Sequence, residues 1–230
     1  MMKLIAVAFL LLTTPLQAAS FRETWQALFS EQYSEAIAGA RDIQLNEDPR
    51  GNFLFGYMYL FGKGLEQDPV KAESYFKRAS EAGFNGATFR LGKMYREGHP
   101  GVPKQTALAY QLISQAAEKG GPNAQFNLAQ MVENGEGTEI DWERAFKLYQ
   151  GAASKKHAFA HWNLGYYYLT GRVVAKDVNK ASEHFETAFK EGSSKWLAIE
   201  INRRLIEDIA PEIRGILEEQ LITLSRSPRD

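Results

Sequence analysis

Residues 54–62 read Leu54-Phe55-Gly56-Tyr57-Met58-Tyr59-Leu60-Phe61-Gly62, and the same outline returns three times downstream. The copies are Leu91-Gly92-Lys93-Met94-Tyr95-Arg96-Glu97-Gly98, Leu128-Ala129-Gln130-Met131-Val132-Glu133-Asn134-Gly135 and Leu164-Gly165-Tyr166-Tyr167-Tyr168-Leu169-Thr170-Gly171. Aligning Gly56, Gly92, Ala129 and Gly165 gives intervals of 36, 37 and 36 residues. A second landmark keeps the same step: Ala72, Ala109, Ala145 and Ala181 lie 37, 36 and 36 apart. Each is followed by a large residue (Tyr75, Leu112, Leu148, His184) and another alanine (Ala79, Ala116, Ala152, Ala188). Two independent landmarks holding one period over four copies define a tandem repeat.

Each unit reads as helix A, a glycine-containing turn and helix B. Take the small residue of helix A as position 0 and about 100° per residue. Leu at −1, Ala at −5 and the residue at +3 then fall between about −60° and −140°, one apolar stripe. Glycines 62, 98, 135 and 171 stand where helix A must stop, and a residue without Cβ enters left-handed backbone freely. Asp68, Asp141 and Asp177 precede helix B by one position as N-caps, with Pro69 at the first helical position.

The composite Ala-x-x-x-Leu-Gly-x-x-Tyr-x-x-Gly-x-Gly, then Asp-x-x-Lys-Ala, then Ala-x-x-x-Gly resembles the Sel-1-like repeat family, relatives of the tetratricopeptide repeats. The resemblance covers residues 50–193 and implies an all-α fold, an α-solenoid winding as a right-handed superhelix. Its four repeats run over about 50–86, 87–123, 124–159 and 160–193. Repeats 1 and 4 fit the pattern best. Repeat 2 carries an extra residue in the turn His99-Pro100-Gly101-Val102-Pro103 and lacks the Asp cap, while repeat 3 has Val132 for the tyrosine and Lys156 for the terminal glycine.

A solenoid needs caps, because an end repeat has one face without a neighbour. Residues 19–49 contain a helical pattern (Trp25, Leu28, Tyr33, Ala36, Ile37, Ala40) that reads as a degenerate first hairpin. Residues 194–230 read as C-terminal capping helices and a tail, with Pro211 opening a last amphipathic helix. Before the first hairpin, residues 1–18 combine a basic start, the apolar run Leu4–Leu12 and a polar stretch ending at Ala18. This is the pattern of a secretory signal peptide cleaved after Ala18, and it predicts a periplasmic or secreted protein with no stable membrane span after cleavage.

Composition narrows the chemistry. The 27 Lys+Arg against 28 Asp+Glu leave no basic excess to displace counterions from phosphate, so nucleic acid is not an expected partner. The sequence has no cysteine, which removes disulfides, thiolate metal sites and a lipid-modified N-terminal cysteine. Ser74-Tyr75-Phe76-Lys77 matches Ser-x-x-Lys, but its repeat equivalents (Gln111, Lys147, Glu183 for Ser74) vary as a solvated face does, and no Lys-Thr-Gly or Ser-Asp-Asn accompanies it. His157 and His161 stand four apart; the repeat equivalents of His161 are Thr88 and Gln125, which favours a polar surface residue over a metal ligand. Gly62-Lys63-Gly64 and Gly135-Glu136-Gly137 are turns too short to cradle phosphate, and the acidic stretch 133–143 lacks calcium-loop spacing. No catalytic residue, metal or cofactor is nominated.

Binding in a solenoid is expected on the concave wall lined by the A helices. Positions −3, +1, +4 and +5 share that arc. They nominate Tyr57 and Phe61 in repeat 1, Phe89, Lys93 and Arg96 in repeat 2, Phe126 and Gln130 in repeat 3, and Trp162 and Tyr166 in repeat 4. Position −3 is aromatic in every unit (Phe53, Phe89, Phe126, Trp162), forming a ladder that either packs between neighbouring A helices or shows ring faces to a partner. On the second reading Lys93 and Arg96 orient acidic groups of that partner. What the resemblance implies is a non-catalytic protein–protein interaction scaffold or adaptor of the bacterial cell envelope. The competing class is a hydrolase, or a regulator of one, acting on peptidoglycan or β-lactams.

Overall fold

The computed structural model describes residues 20–192. Over them the chain forms ten helices: α1 (Phe21–Phe29), α2 (Tyr33–Leu45), α3 (Pro49–Phe61), α4 (Pro69–Glu81), α5 (Asn85–Glu97), α6 (Thr106–Glu118), α7 (Pro122–Asn134), α8 (Trp142–Ala153), α9 (Ala158–Thr170) and α10 (Val178–Glu191). The signal-peptide and C-terminal-cap expectations lie outside the described residues. No described helix is long and apolar enough to cross a membrane. The chain divides into a unit ending at Ala79 and a unit beginning at Ser80.

In the first unit α1 packs on α2, and α2 on α3. The α3 and α4 helices meet through Phe53–Phe76 and through Phe55 and Tyr59, both stacked on Tyr75. In the second unit each helix from α5 to α10 packs on the next in sequence. Helix A is thus α3, α5, α7 and α9 in turn, and helix B is α4, α6, α8 and α10.

The residues read as structural do that work. The alanines of helix B, at 72 and 79, 109 and 116, 145 and 152, and 181 and 188, are all fully buried. On helix A the −1 leucines (54, 91, 128, 164) are buried, and so is position +2 (Met58, Met94, Met131, Tyr167), which widens the predicted stripe. Position 0 is small because a ring or branch of helix B lies against it. A Cβ placed on Gly56 or Gly165 would come within 2.7 Å of the Phe76 or Phe185 ring, and one on Gly92 within 2.7 Å of Ile113. In repeat 3 the corresponding buried pair is Ala129 and Tyr149.

The connections repeat as closely as the helices. Gly62, Gly135 and Gly171 end their helices in the left-handed conformation. Gly98 differs, with φ 73 and ψ 145, because the extra residue of repeat 2 closes a small loop in which His99 and Val102 exchange two backbone bonds of 2.8 Å. Asp68, Asp141 and Asp177 each accept from the backbone amide three residues on, at 2.9–3.0 Å. The residue before helix B also donates its amide to the carbonyl of helix-A position +3 in every repeat: Asp68 to Tyr59, Gln105 to Tyr95, Asp141 to Val132, Asp177 to Tyr168. This bond fixes the return of the chain. A left-handed residue also follows α2, α4, α6 and α8, at Glu47, Gly83, Gly120 and Lys156, whereas Gly192 after α10 is extended with φ −89. Lys156 holds φ 62 where its equivalents are glycine, and Glu47 places the α1–α2 hairpin on the repeat's period.

Candidate functional site

The nominated residues of helix A lie at three depths. In the first unit an aromatic row runs down α1 (Phe21, Trp25, Phe29) against a row on α3 (Phe53, Tyr57, Phe61), each spaced by one helical turn. Trp25 stacks on Phe53 at 5.7 Å and meets Tyr57 edge-on at 4.9 Å, and Tyr57 continues to Phe61 at 4.5 Å. Tyr57 is buried by this packing, so its ring does not face solvent as expected. The row surfaces only at its end, where Phe61 is 47% and Phe29 50% exposed, with the Lys63 ammonium 5.2 Å from the centre of the Phe29 ring.

In the second unit Phe89, Lys93, Arg96, Phe126, Gln130 and Tyr166 are half-buried, and Trp162 is buried. The position −3 ladder is neither free nor seated chiefly between A helices. Phe53, Phe126 and Trp162 each lie on an aromatic ring of their own helix B (Phe76, Tyr149, Phe185) at 5.7, 5.8 and 4.6 Å. Trp162 is therefore a core residue and not an open anchor. Phe126 is sandwiched further, stacked on His157 at 4.5 Å and 6.1 Å from the half-exposed Phe159.

Arg96 has a different duty from the one its charge suggests. Its Nε and Nη2 donate to the two Glu136 carboxylate oxygens at 2.7 and 2.8 Å, and Nη1 donates to Asn127 at 3.2 Å. The guanidinium ties helix A of repeat 2 to the turn of repeat 3, and it holds the Glu136 carboxyl below its ordinary range. Gln130 lies 3.5 Å from the same Nη1. Lys93 is paired along its own helix with Glu97 at 3.2 Å. At position +4 of repeat 3, Glu133 accepts from two tyrosine hydroxyls, Tyr149 at 2.8 Å and Tyr167 at 3.0 Å, with Arg172 3.9 Å away. Burial first, and the nearby carboxylate second, push the Tyr167 hydroxyl well above the usual phenol range.

His157 and His161, four apart in sequence, do not pair with each other. His157 turns back to cap its own helix, accepting from the Ala160 amide at 3.2 Å. His161 instead faces His184 across the hairpin with the two Nδ1 atoms 3.1 Å apart, while its Nε2 lies 3.2 Å from the Ala153 carbonyl. A carbonyl requires a donor, so neutral His161 carries its proton on Nε2 and accepts at Nδ1 from His184. His161 is thus a half-buried bridge between helices and not the polar surface residue expected. Position −4 plays the same part elsewhere: Asn52 bonds Gln44, and buried Thr88 bonds Ser80. Burial lowers the affinity of His157, His161 and His184 for a second proton. No group of three or more His, Cys, Asp or Glu side chains able to hold a metal ion occurs among the described residues. Ser74 is exposed on α4 and accepts from Arg78 at 3.2 Å, so its hydroxyl's partner is Arg78 and not Lys77.

A family model for the Sel1 repeat matches residues 49–84, 86–121, 122–157 and 158–193, more than half the chain. The chain belongs to the Sel1 repeat family. Its fold is accordingly all-α and of the solenoid class, and its helical hairpins are Sel1 repeats. A crystal structure of a Sel1 repeat protein from Oxalobacter formigenes superposes with a TM-score of 0.70 at 29% identity, covering 78% of this chain and 73% of the other. An alginate biosynthesis protein, AlgK, from Azotobacter vinelandii is 39% identical over 98 residues, which is 43% of this chain and 21% of that protein. An exopolysaccharide production negative regulator from Rhizobium meliloti is 28% identical over 155 residues, 62% of this chain and 58% of the regulator. This Sel1 repeat chain therefore spans about a fifth of the alginate protein's length and less than two thirds of the regulator's.

Proposed function

We propose that this Sel1 repeat protein is a non-catalytic interaction scaffold of the bacterial cell envelope, taking a partner protein or peptide on the surface of its A helices. The observation that carries this reading is Phe61. Its ring is 47% exposed on α3, although its repeat equivalents are the polar residues Glu97, Asn134 and Thr170, so the fold does not demand an apolar side chain there. An apolar ring kept in water, against the same Tyr57 ring that the exposed Phe29 meets, is a place where a partner recovers hydrophobic free energy. Tyr166 is a second contact point, half-buried on α9. Envelope location rests on the signal pattern of residues 1–18, and the relatives named for alginate and exopolysaccharide production favour the same compartment.

The test captures partners from envelope extract with the wild-type chain, Phe61→Ser and Tyr166→Ala. A partner held by wild type and lost in both variants, with melting temperatures unchanged, supports the reading. Equal capture by all three removes the helix-A assignment. Turnover of peptidoglycan or a β-lactam by the pure protein would replace it with the enzymatic class.

A further inference from the structure

Three departures from the repeat pattern, two at the entry to α8 and one in the turn after α9, meet on one face of the unit that begins at Ser80. The first is Ile140. A Cβ built on the turn glycines 62, 98, 135 and 171 meets Gln67, Lys104, Ile140 and Lys176 respectively, so repeat 3 alone places an aliphatic side chain at this position. The second is Trp142, which opens α8 where α4, α6 and α10 open with Pro69, Thr106 and Val178. The third is Val173, the second residue after Gly171. It holds φ 69, whereas the corresponding Gly64 and Gly137 hold φ 74 and 75.

None of the three is required by the fold, and none is hidden by it: Ile140 is 58%, Trp142 44% and Val173 41% exposed. They line a single open cavity of about 880 Å³ together with Glu139 and Glu143. Val173 is the informative member. A β-branched side chain in left-handed backbone is strained, and glycine would relieve the strain at once; such residues cluster where a site needs the side chain. Trp142 is held in place from one side, with the Arg172 guanidinium 4.7 Å from its ring centre.

Charge selects the occupant. Arg144 is engaged by the Tyr110 hydroxyl at 2.6 Å, Arg172 by Trp142 and by Glu133 at 3.9 Å, and Asp141 by its capping bond to the Arg144 amide. Glu139 and Glu143 have no ion-pair partner among the described residues, which leaves the rim negative. We infer that this face is a second docking surface, and that it takes a short partner segment with a large aliphatic or aromatic side chain flanked by lysine or arginine. The apolar anchor seats among Ile140, Trp142 and Val173, and the flanking cations meet Glu139 and Glu143. The surface is independent of the helix-A reading above.

The experiment titrates the full chain with synthetic peptides of about twelve residues, each carrying a central Leu, Phe or Trp with either Lys/Arg or Glu flanks. Lys/Arg-flanked peptides are expected to bind about tenfold or more tightly than Glu-flanked ones, and Trp142→Ala and Ile140→Ser to lose at least that factor. Glu139→Lys combined with Glu143→Lys inverts the flank preference. Val173→Gly is expected to raise the melting temperature while weakening binding, a combination that a purely structural residue does not give. Phe61→Ser and Tyr166→Ala leave this binding unchanged, so failure here and failure of the helix-A surface are separable. Equal binding of both peptide sets, binding indifferent to Trp142→Ala, a lower melting temperature for Val173→Gly, or self-association through Trp142 in place of peptide binding would each overturn the proposal.

Discussion

Arg96 grips Glu136 across a repeat boundary through two parallel N–H···O bonds of 2.7 and 2.8 Å. With its side chain only 17% exposed and Asn127 on the remaining amine, the pair is a joint between repeats 2 and 3. Bidentate charge-assisted bonds of this kind are the strong class, and removing one partner leaves the other charge half-buried without compensation.

Arg96→Ala is accordingly expected to cost about 1–3 kcal/mol of stability. Glu136→Gln should cost less, because an amide still accepts from the guanidinium. Urea denaturation of both singles and the double variant measures the coupling, and a coupling near zero would show that the contact contributes nothing.

Position 0 makes a sharper prediction because its sign changes between repeats. Gly165→Ala drives a methyl to within 2.7 Å of the Phe185 ring and should destabilise by roughly 1–3 kcal/mol, despite alanine's better helix propensity. Shortening the ring, as Phe185→Leu in the same chain, should return part of the loss. Ala129→Gly, the reverse exchange, also destabilises, by about 1 kcal/mol, since repeat 3 already accommodates the methyl. Thermal melts of the three variants decide it.

The helical period, the caps and the alanine seam were legible in the sequence because each is settled inside one repeat. Leu54 and its equivalents, Ala72 and its equivalents, and Asp141 or Asp177 at the start of helix B carry their roles at fixed offsets. The candidate surface was less legible, because burial there depends on the neighbour against which a side chain lands. Tyr57 and Tyr166 occupy the same position, yet only Tyr57 is covered, by Trp25 of the preceding hairpin. Arg96 reads as a free cation until Glu136, forty residues on, is placed beside it. His161 pairs with His184 and not with His157 for the same reason. Val173 did leave a trace: Gly-Arg-Val stands where repeats 1 and 3 have Gly-x-Gly.

The histidine bridge predicts a pH dependence whose sign follows from burial. Desolvation lowers the proton affinity of His157, His161 and His184 in the fold, while an unfolded imidazole titrates near about 6.5. The unfolded chain therefore binds more protons as the medium acidifies. Stability is full above about pH 6.5 and is lost as pH falls from there through the lower folded values. A second proton on His161 would also set two N–H donors facing each other across 3.1 Å, with the acidic neighbour Glu191 acting in the opposite direction. The melting temperature should fall more steeply between about pH 6.5 and 5 for wild type than for His161→Gln. Parallel curves would count against the bridge.

Glu133 offers a fourth test. It accepts from both the Tyr149 and the Tyr167 hydroxyls, which belong to fully buried side chains. Glu133→Leu removes the shared acceptor of two hydroxyls and should cost about 2–4 kcal/mol, while Tyr167→Phe removes a single bond and should cost about 1 kcal/mol. If Glu133→Leu proves the milder of the two by chemical denaturation, the carboxylate is not the organising group.

The matching of position 0 to the ring opposite it has a consequence for how such chains diversify. Glycine against phenylalanine recurs in repeats 1 and 4, glycine against isoleucine in repeat 2, and alanine against tyrosine in repeat 3. Both members of each couple sit inside one hairpin, so a genetic crossover in the loops between hairpins transplants the couple intact. A crossover between the two helices of a hairpin splits it and strands a methyl against a ring. Whole hairpins are the cassettes in which this chain can be lengthened, shortened or shuffled without reworking its interior.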